Sequence, residues 1–284
     1  MKGDAMNNFR IFIIASIILS LGISCGIGCT QPTANGGNTG DDVLKLAMSG
    51  AYRPLSMTDA DGNLVGFDAD IAAEVASRTG REPDLVQTEW AGIQAGLQTD
   101  KYDLICGSMA ITPARLEAMY FSLPYYISGA QVYVRSDITE LQGIRIGVTE
   151  STTYEEYIEN HPDEFPDCEV LRYDSEAQIV SAMNTDKIDC FVSDRIVGGF
   201  YIKEGGAGDI VPFGDLLYHE HLGIAARKDS AMLVHEVNEA LREMVDDGTY
   251  AEIYEKWVGM EPDLELLRNA WEEQEENIPP VDGI

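Results

Sequence analysis

Short strand-like runs alternate with helix-like runs along most of the chain, and this alternation limits the fold more than any other feature. The strand-like runs are apolar and lie at residues 44–48, 85–88, 104–109, 144–148, 170–173 and 188–192. Apolar residues at helical spacing follow them, as at residues 68–79, where Gly80 marks the end, and at residues 176–185. Such alternation is typical of strand–helix–strand units with parallel sheets. The chain is therefore predicted to be an α/β protein.

Two extended stretches interrupt the alternation, at residues 125–135 and 218–226. They divide it into two groups of strands, so we predict two doubly wound α/β lobes joined by a two-strand hinge. The first lobe would contain residues 43–129 and 218–284, and the second residues 130–217. Ligands bind at the carboxyl ends of strands in such sheets, and two facing lobes form a cleft that a hinge can close. The ligand site is therefore expected between the lobes.

The N-terminus has the pattern of an export signal. An apolar run at residues 11–23, which is 13 residues long, is too short for a membrane span but suits the core of a signal peptide. Cysteines that follow small residues resemble a lipoprotein cleavage site, which predicts a signal segment over residues 1–29 with lipidation at Cys29 or Cys25. The polar residues 30–42 predict a flexible linker. An uncleaved anchor is the alternative, and either arrangement places the protein at the outer face of the cytoplasmic membrane.

The chain is strongly acidic, with 49 Asp and Glu residues against 19 Lys and Arg residues and a net charge of −30. A phosphate backbone would be repelled, which argues against nucleic acid as a partner, and electrostatic attraction to an anionic membrane is disfavoured for the same reason. The hydrophobic fraction of 45% is that of a folded globular protein. We therefore expect contact with the membrane only through the N-terminal lipid. The protein is also expected to be a monomer.

The remaining cysteines show no metal-binding pattern. Cys106 and Cys190 lie within apolar strand-like runs, which favours buried free thiols. Cys168 lies in a polar stretch, and a disulfide between Cys168 and Cys190 stays open as an alternative outside the cell. No spacing of Cys and His residues indicates zinc, so no metal and no cofactor are predicted.

One segment makes the sequence resemble a known family. Residues 112–126 contain TPAR followed by FSLPYY, which resembles the TPxR…FSxPYY stretch of polar amino-acid-binding proteins. These are the extracytoplasmic receptors of ABC importers, with the type II periplasmic-binding fold. Residues 62–70 (GNLVGFDAD), 90–103 and 238–259 resemble further segments of that family in the same order, and the likeness extends over residues 43–260. The resemblance implies a receptor that captures a polar amino acid by lobe closure and delivers it to an ABC permease.

A free amino acid is a zwitterion, so its site needs a cation for the carboxylate and an anion for the ammonium. Arg115 is the candidate for the carboxylate because its planar guanidinium forms a bidentate pair. Thr152 begins a predicted helix, where its hydroxyl and free backbone N–H groups bind the same carboxylate, cap the helix, or do both. The resemblance implies that Asp194 binds the ammonium, with help from Ser108. A helix N-cap is the alternative role for Asp194.

The resemblance also implies aromatic walls for the ligand side chain. Tyr52 and Trp90 match the aromatic positions that flank this side chain in the family. Aromatic faces hold either an aliphatic chain or a cation. Ordinary core packing is the alternative explanation for both residues.

The sequence departs from the family pattern at two positions. Ala110 stands where the family commonly has Ser or Thr, so a hydroxyl contact to the ligand is lost while the backbone N–H remains. Ser49 stands where members that select cationic side chains often have an acid, which argues against lysine, arginine or ornithine as the ligand, although Glu89 or Glu150 could substitute. No single amino acid is therefore predicted as the ligand.

Two other functions stay open. Cyclohexadienyl dehydratases resemble these receptors and use an acid in the cleft, a role that Glu89 or Glu150 could fill if burial raised its pKa. A sensory module that binds ligand without transport is the second alternative. Neither is favoured over the receptor, which is expected not to be an enzyme.

The acidic tail at residues 261–284 extends beyond the resemblance. Leu264, Leu267 and Trp271 have helical spacing within residues 264–276. This pattern predicts a helix that packs on the first lobe through one face. A docking helix for the permease is the alternative.

Overall fold

The described residues, 42–204 and 209–281 of this computed structural model, form a mixed α/β fold around one large sheet. In chain order the strands are β1 (Val43–Met48), β2 (Ala51–Tyr52), β3 (Ser56–Thr58), β4 (Leu64–Val65), β5 (Glu82–Gln87), β6 (Leu104–Ala110), β7 (Tyr120–Arg135), β8 (Arg145–Thr149), β9 (Glu169–Tyr173), β10 (Cys190–Asp194) and β11 (Ile210–Ala226). The α-helices are α1 (Phe67–Arg78), α2 (Ile93–Gln98), α3 (Pro113–Ala118), α4 (Thr153–Asn160), α5 (Glu176–Asn184), α6 (Arg195–Glu204), α7 (Ala231–Asp247), α8 (Thr249–Val258) and α9 (Leu264–Gln274). The α/β class predicted from the sequence is confirmed.

The large sheet has eight strands in the order β5-β1-β6-β11-β7-β10-β8-β9. β1 pairs in parallel with β5 and β6, and β8 pairs in parallel with β9 and β10. The long strands β7 and β11 lie between these two groups and pair antiparallel with each other. The group around β1 forms the first half of the protein and the group around β8 forms the second half, and the two crossing strands join them. A small sheet of β2, β3 and β4 was not predicted, because strands of two or three residues show no periodic pattern.

The crossing strands are longer than the sequence predicts, with 16 residues in β7 and 17 in β11. Pro124 lies within β7 opposite Gly223, where the pairing register shifts. A bulge of this kind accommodates a proline that cannot donate to the ladder. A second shift lies between Phe213 and Tyr218, in the part of β11 that contains Gly214. The predicted starts at positions 125 and 218 are therefore too late.

Hydrophobic clusters lie on both sides of the crossing strands. Phe67 of α1 is central to one cluster, with its ring centroid 5.8 Å from that of Tyr125 and 5.6 Å from that of Tyr254. Val148 and Val192 belong to a separate cluster beside β8 and β10. Helices α7 and α8 follow the second crossing and pack with the first cluster, so the chain returns to the first group of strands. The proposed lobe boundaries stay a prediction.

The C-terminal helix α9 packs on the first half of the protein. Asp263 caps it by accepting a hydrogen bond from the backbone N–H of Leu266 at 2.9 Å. Leu267 is buried, and Leu264 and Trp271 pack against the same cluster as Phe67. The indole Nε1 of Trp271 donates to the carbonyl oxygen of Pro124 at 2.7 Å. The predicted packing face of this helix is confirmed.

Cys106 and Cys190 are buried free thiols, as predicted, and Cys168 is also free, so these residues form no disulfide. The predicted signal segment, with Cys25 and Cys29, lies outside the described residues, as does almost all of the predicted linker. Within residues 42–204 and 209–281, no helix combines the length and the hydropathy that a bilayer crossing requires.

Candidate functional site

A cavity lies where the two groups of strands meet, with about 720 Å³ of empty space that includes some open solvent. Its lining comes from both groups and consists of Ser49, Ala51, Tyr52, Gln87, Glu89, Trp90, Gly107, Ser108, Ala110, Arg115, Thr149, Thr152, Thr153, Tyr154, Asp174, Ser175, Glu176 and Glu220. The lining includes every predicted ligand-binding residue except Asp194. The sequence therefore locates the cavity correctly, although the binding role of each residue stays a prediction.

Arg115 is held in the cavity wall by α3. Thr112 caps this helix and accepts a hydrogen bond from the backbone N–H of Arg115 at 3.2 Å. The guanidinium Nη1 donates to the carbonyl oxygen of Ala110 at 3.0 Å, and Arg115 Cζ lies 5.9 Å from the centroid of the Trp90 ring. Arg115 is only 8% exposed, and this burial lowers its pKa, an effect that the nearby Glu220 carboxylate opposes. A guanidinium remains charged at neutral pH, so the cavity contains a desolvated cation.

The opposite wall is the start of α4, which follows β8. Thr152 is its N-cap: the hydroxyl accepts from the backbone N–H of Glu155 at 3.3 Å and donates to the carbonyl oxygen of Thr149 at 2.6 Å. The capping role considered for Thr152 is therefore present. Ser151 has a φ of 59°, a left-handed conformation that few residues other than glycine adopt. This turn lets the carbonyl of Ser151 accept a hydrogen bond from Trp90 Nε1 at 3.2 Å across the cavity.

A second set of contacts joins the halves through tyrosine hydroxyls. The hydroxyl oxygens of Tyr52 and Tyr154 are 3.0 Å apart, which connects β2 with α4. The Tyr154 hydroxyl also donates to Glu220 Oε2 at 3.2 Å, and Thr153 donates to Glu220 Oε1. Glu220 lies on the crossing strand β11, so these contacts tie the second half to the hinge.

Asp68 forms a buried polar group with Ser108, a lining residue of the first half. Its Oδ1 accepts hydrogen bonds from the Ser108 hydroxyl at 2.8 Å and from the Tyr125 hydroxyl at 2.7 Å. Burial raises the pKa of Asp68 to about 7. Ser108 has a φ of 50° and a hydroxyl that points to Asp68. The hydroxyl proton of Ser108 is therefore engaged with Asp68, while the oxygen keeps lone pairs that can accept a hydrogen bond.

Asp194 lies at the end of β10 and is completely buried. Its Oδ1 accepts from the backbone N–H groups of Ile196 and Val197, at 2.7 and 3.2 Å, and from the Tyr126 hydroxyl at 3.1 Å. The helix-capping role considered for Asp194 is thus present. Oδ2 has no hydrogen bond of ordinary geometry in the part of the chain that the structure describes, although the nearby Ser128 hydroxyl lowers the pKa of this carboxyl against the effect of burial. Burial raises the pKa of this carboxyl.

Glu176 and Glu220 are lining acids that the sequence reasoning missed. They are 2% and 6% exposed, and burial raises the pKa of each to about 7. Glu176 starts α5 shortly after the parallel strand β9, and the rule that ligands bind at strand ends could have pointed to it. Glu220 lies in mid-strand and carries no such signal. Of the acids named as substitutes, Glu89 lines this cavity, whereas Glu150 lines an adjoining one.

Comparisons with known proteins agree with this architecture. Residues 44–260 match the model of the bacterial extracellular solute-binding proteins, family 3. The L-cystine-binding protein TcyJ of Escherichia coli K12 is 30% identical over 224 residues, which cover 76% of this chain and 83% of that protein. A solved structure of an ancestral arginine-binding protein bound to arginine matches with a TM-score of 0.72 and 30% identity, over 76% of this chain and 98% of the other.

A third comparison bears on enzyme activity. The ancestral amino acid-binding protein AncCDT-1, described as a precursor of cyclohexadienyl dehydratase, matches with a TM-score of 0.70 and 30% identity. The match covers 78% of this chain and 97% of AncCDT-1. These solved structures also confirm the predicted fold, because they are amino-acid-binding proteins with the type II periplasmic-binding fold.

Proposed function

Since this chain belongs to the bacterial extracellular solute-binding proteins of family 3, we propose that it captures a free amino acid outside the cell and delivers it to an ABC permease. The observation that carries the proposal is the buried guanidinium of Arg115 in a cavity lined from both halves of the molecule. A desolvated cation at such a place suits a ligand carboxylate. The names of the relatives, which include cystine- and arginine-binding proteins, support the same ligand class.

The proposed roles divide the ligand between the two halves. Arg115 binds the ligand carboxylate from the first half, and the start of α4 at Thr152 faces it from the second. Asp194 binds the ammonium through Oδ2, the oxygen without a hydrogen bond of ordinary geometry among the described residues. Asp194 adjoins the cavity wall, since the neighbouring Ser193 donates to the lining residue Glu176. Tyr52 and Trp90 flank the side chain, and binding favours the closed arrangement because each half supplies part of the site.

The remaining proposals concern location and assembly. The receptor is a monomer held at the outer face of the membrane by a lipid on Cys29 or Cys25. Metabolic labelling with a fatty acid would test the anchor, because replacing the modified cysteine by serine must abolish the label.

A thermal-shift screen against the free amino acids tests the proposed function. A ligand at a hundred times its Kd stabilises the folded protein by about 2.7 kcal/mol, which is a shift of several degrees in Tm. We expect such a shift for one amino acid or a small group of similar ones. A properly folded protein that responds to none of them would refute the proposal.

An enzyme remains the second candidate because two buried acids in the cavity have a raised pKa. A pKa of about 7 suits a general acid. AncCDT-1, an amino acid-binding protein of this fold, is described as a precursor of cyclohexadienyl dehydratase. Incubation with prephenate or arogenate followed by product detection tests this function. We expect no turnover, and turnover lost in Glu176→Gln would replace the receptor proposal.

A further inference from the structure

The buried charges around the cavity are unbalanced. Across residues 42–204 and 209–281, Arg115 is the buried base, whereas four acids are buried. These acids are Asp68, Glu176, Asp194 and Glu220. A buried carboxylate without a cation is costly, so an excess of this kind requires protonation or a positively charged partner.

The other three acids are met in different ways: Asp68 and Asp194 lie outside the cavity lining, with Oδ2 of each lacking a hydrogen bond of ordinary geometry among the described residues, and Glu220 has a nearby base. Asp68 accepts hydrogen bonds from two hydroxyls. Asp194 caps α6 through one of its oxygens. Glu220 accepts from Thr153 and Tyr154, and the charge of Arg115 lowers its pKa against the effect of burial. None of these three is therefore a buried acid of the cavity lining that lacks a compensating partner.

Glu176 is the less compensated of the two buried acids in the lining. Ser193 Oγ donates to its Oε1 at a long 3.3 Å, and no basic side chain among the described residues forms an ion pair with it. The Asp194 carboxyl adds to the effect of burial in raising its pKa. A second feature beside it also points to a ligand: Thr149 lines the cavity, is 4% exposed, and its hydroxyl has no hydrogen bond of ordinary geometry in the described part of the chain, although its proximity lowers the pKa of Glu176 against the effect of burial.

The charge of the ligand follows from this balance. A zwitterion brings one positive and one negative group, so it satisfies Arg115 and one acid but leaves the excess unchanged. A ligand with one further positive charge reduces that excess by pairing with a desolvated carboxylate. A charge-assisted hydrogen bond in such a place is about twice as strong as a neutral one.

We propose that Glu176 is a specificity-determining residue that selects an amino acid with a positively charged side chain. Glu176, in the second half, supplies a negative charge for the ligand side chain. Ser49, in the first half, is neutral and cannot supply it. This inference rests on the proposed function, because it assigns the ligand class of the same cavity.

Calorimetry that compares the affinities for arginine and citrulline tests this inference. Citrulline has nearly the same shape as arginine, but a neutral urea replaces the guanidinium. We expect the wild-type protein to bind arginine about 10- to 100-fold more tightly than citrulline. Glu176→Gln should weaken arginine at least about tenfold while changing citrulline less than about threefold, so that the preference collapses. Glu252→Gln, at an exposed position of α8, removes the same charge and should preserve the preference.

The outcomes separate the two proposals. Equal affinity for arginine and citrulline, tight binding of neutral amino acids alone, or an unchanged preference in Glu176→Gln would overturn the inference while the receptor function stands. Lysine against glutamine repeats the comparison if arginine is too large for the cavity. Failure of every free amino acid to bind would refute the proposed function itself. Circular dichroism of Glu176→Gln shows whether a loss of binding comes from misfolding.

Discussion

Replacing Arg115 by alanine should remove most amino-acid binding. The side chain is 8% exposed, so little water can replace the guanidinium when it is lost. Hydrogen bonds to charged groups contribute roughly 1.5–3 kcal/mol each, and truncating one partner of a buried charge pair costs about 2–5 kcal/mol. We expect a loss of about 3–5 kcal/mol, which raises Kd by roughly 100- to 4,000-fold.

The ligand-free protein should tolerate this substitution. Arg115→Ala removes the hydrogen bond to the Ala110 carbonyl, but it also removes a desolvated charge. We expect the free energy of unfolding to change by about 1 kcal/mol and Tm by a few degrees. Arg115→Lys keeps the charge but loses the bidentate geometry, so its Kd should rise by an intermediate factor.

Isothermal titration calorimetry with the best amino acid of the thermal-shift screen measures these changes. Arg242→Ala is the matched control, because it removes a half-exposed arginine whose ion pair, among the described residues, is with Glu239 at the protein surface. Its affinity should stay within about twofold of the wild type. If folded Arg115→Ala also binds within twofold of the wild type, the guanidinium does not hold the ligand and the assignment of the site is wrong.

Three further predictions concern stability. The pKa of Glu176 and of Glu220 is about 7 in the folded protein, against about 4.3 in the unfolded chain. Between these values the folded state binds more protons than the unfolded state, so the free energy of unfolding of the ligand-free protein falls by up to about a few kcal/mol as the pH rises through this window. Melting at pH 5.5 and pH 8 in high salt, which screens surface repulsion, should show the higher Tm at pH 5.5, and Glu176→Gln should reduce the difference. Removing residues 264–284 should cost about 2 kcal/mol or more through the lost packing and hydrogen bond of Trp271, with ligand affinity nearly unchanged; an unaltered Tm would refute the packing role. Gly66→Ala should destabilise by about 2–3 kcal/mol in chemical denaturation, because φ is 133° and a Cβ would overlap the Leu55 carbonyl, whereas the same change at a positive-φ glycine with open space around it should cost less.

The fold was predictable where the pattern is local. Strand periodicity and helix spacing located both groups of strands and the tail helix to within a few residues. The crossing strands were underestimated, because Pro124 marks a stop in sequence while a register shift opposite Gly223 keeps it in the sheet. Such a shift depends on the partner strand, which comes about a hundred residues later.

The sequence by itself determined the family, the α/β class and the position of Arg115, since motifs and periodicity are short-range properties. Tertiary structure alone decided which buried acids line the cavity. Glu176 is defined by its contact with Ser193, which is 17 residues away, and Glu220 by its contact with Tyr154, which is 66 residues away. The physical reason is that desolvation, which raises the pKa of both acids, is set by the packing of distant segments around a group rather than by its neighbours in the chain.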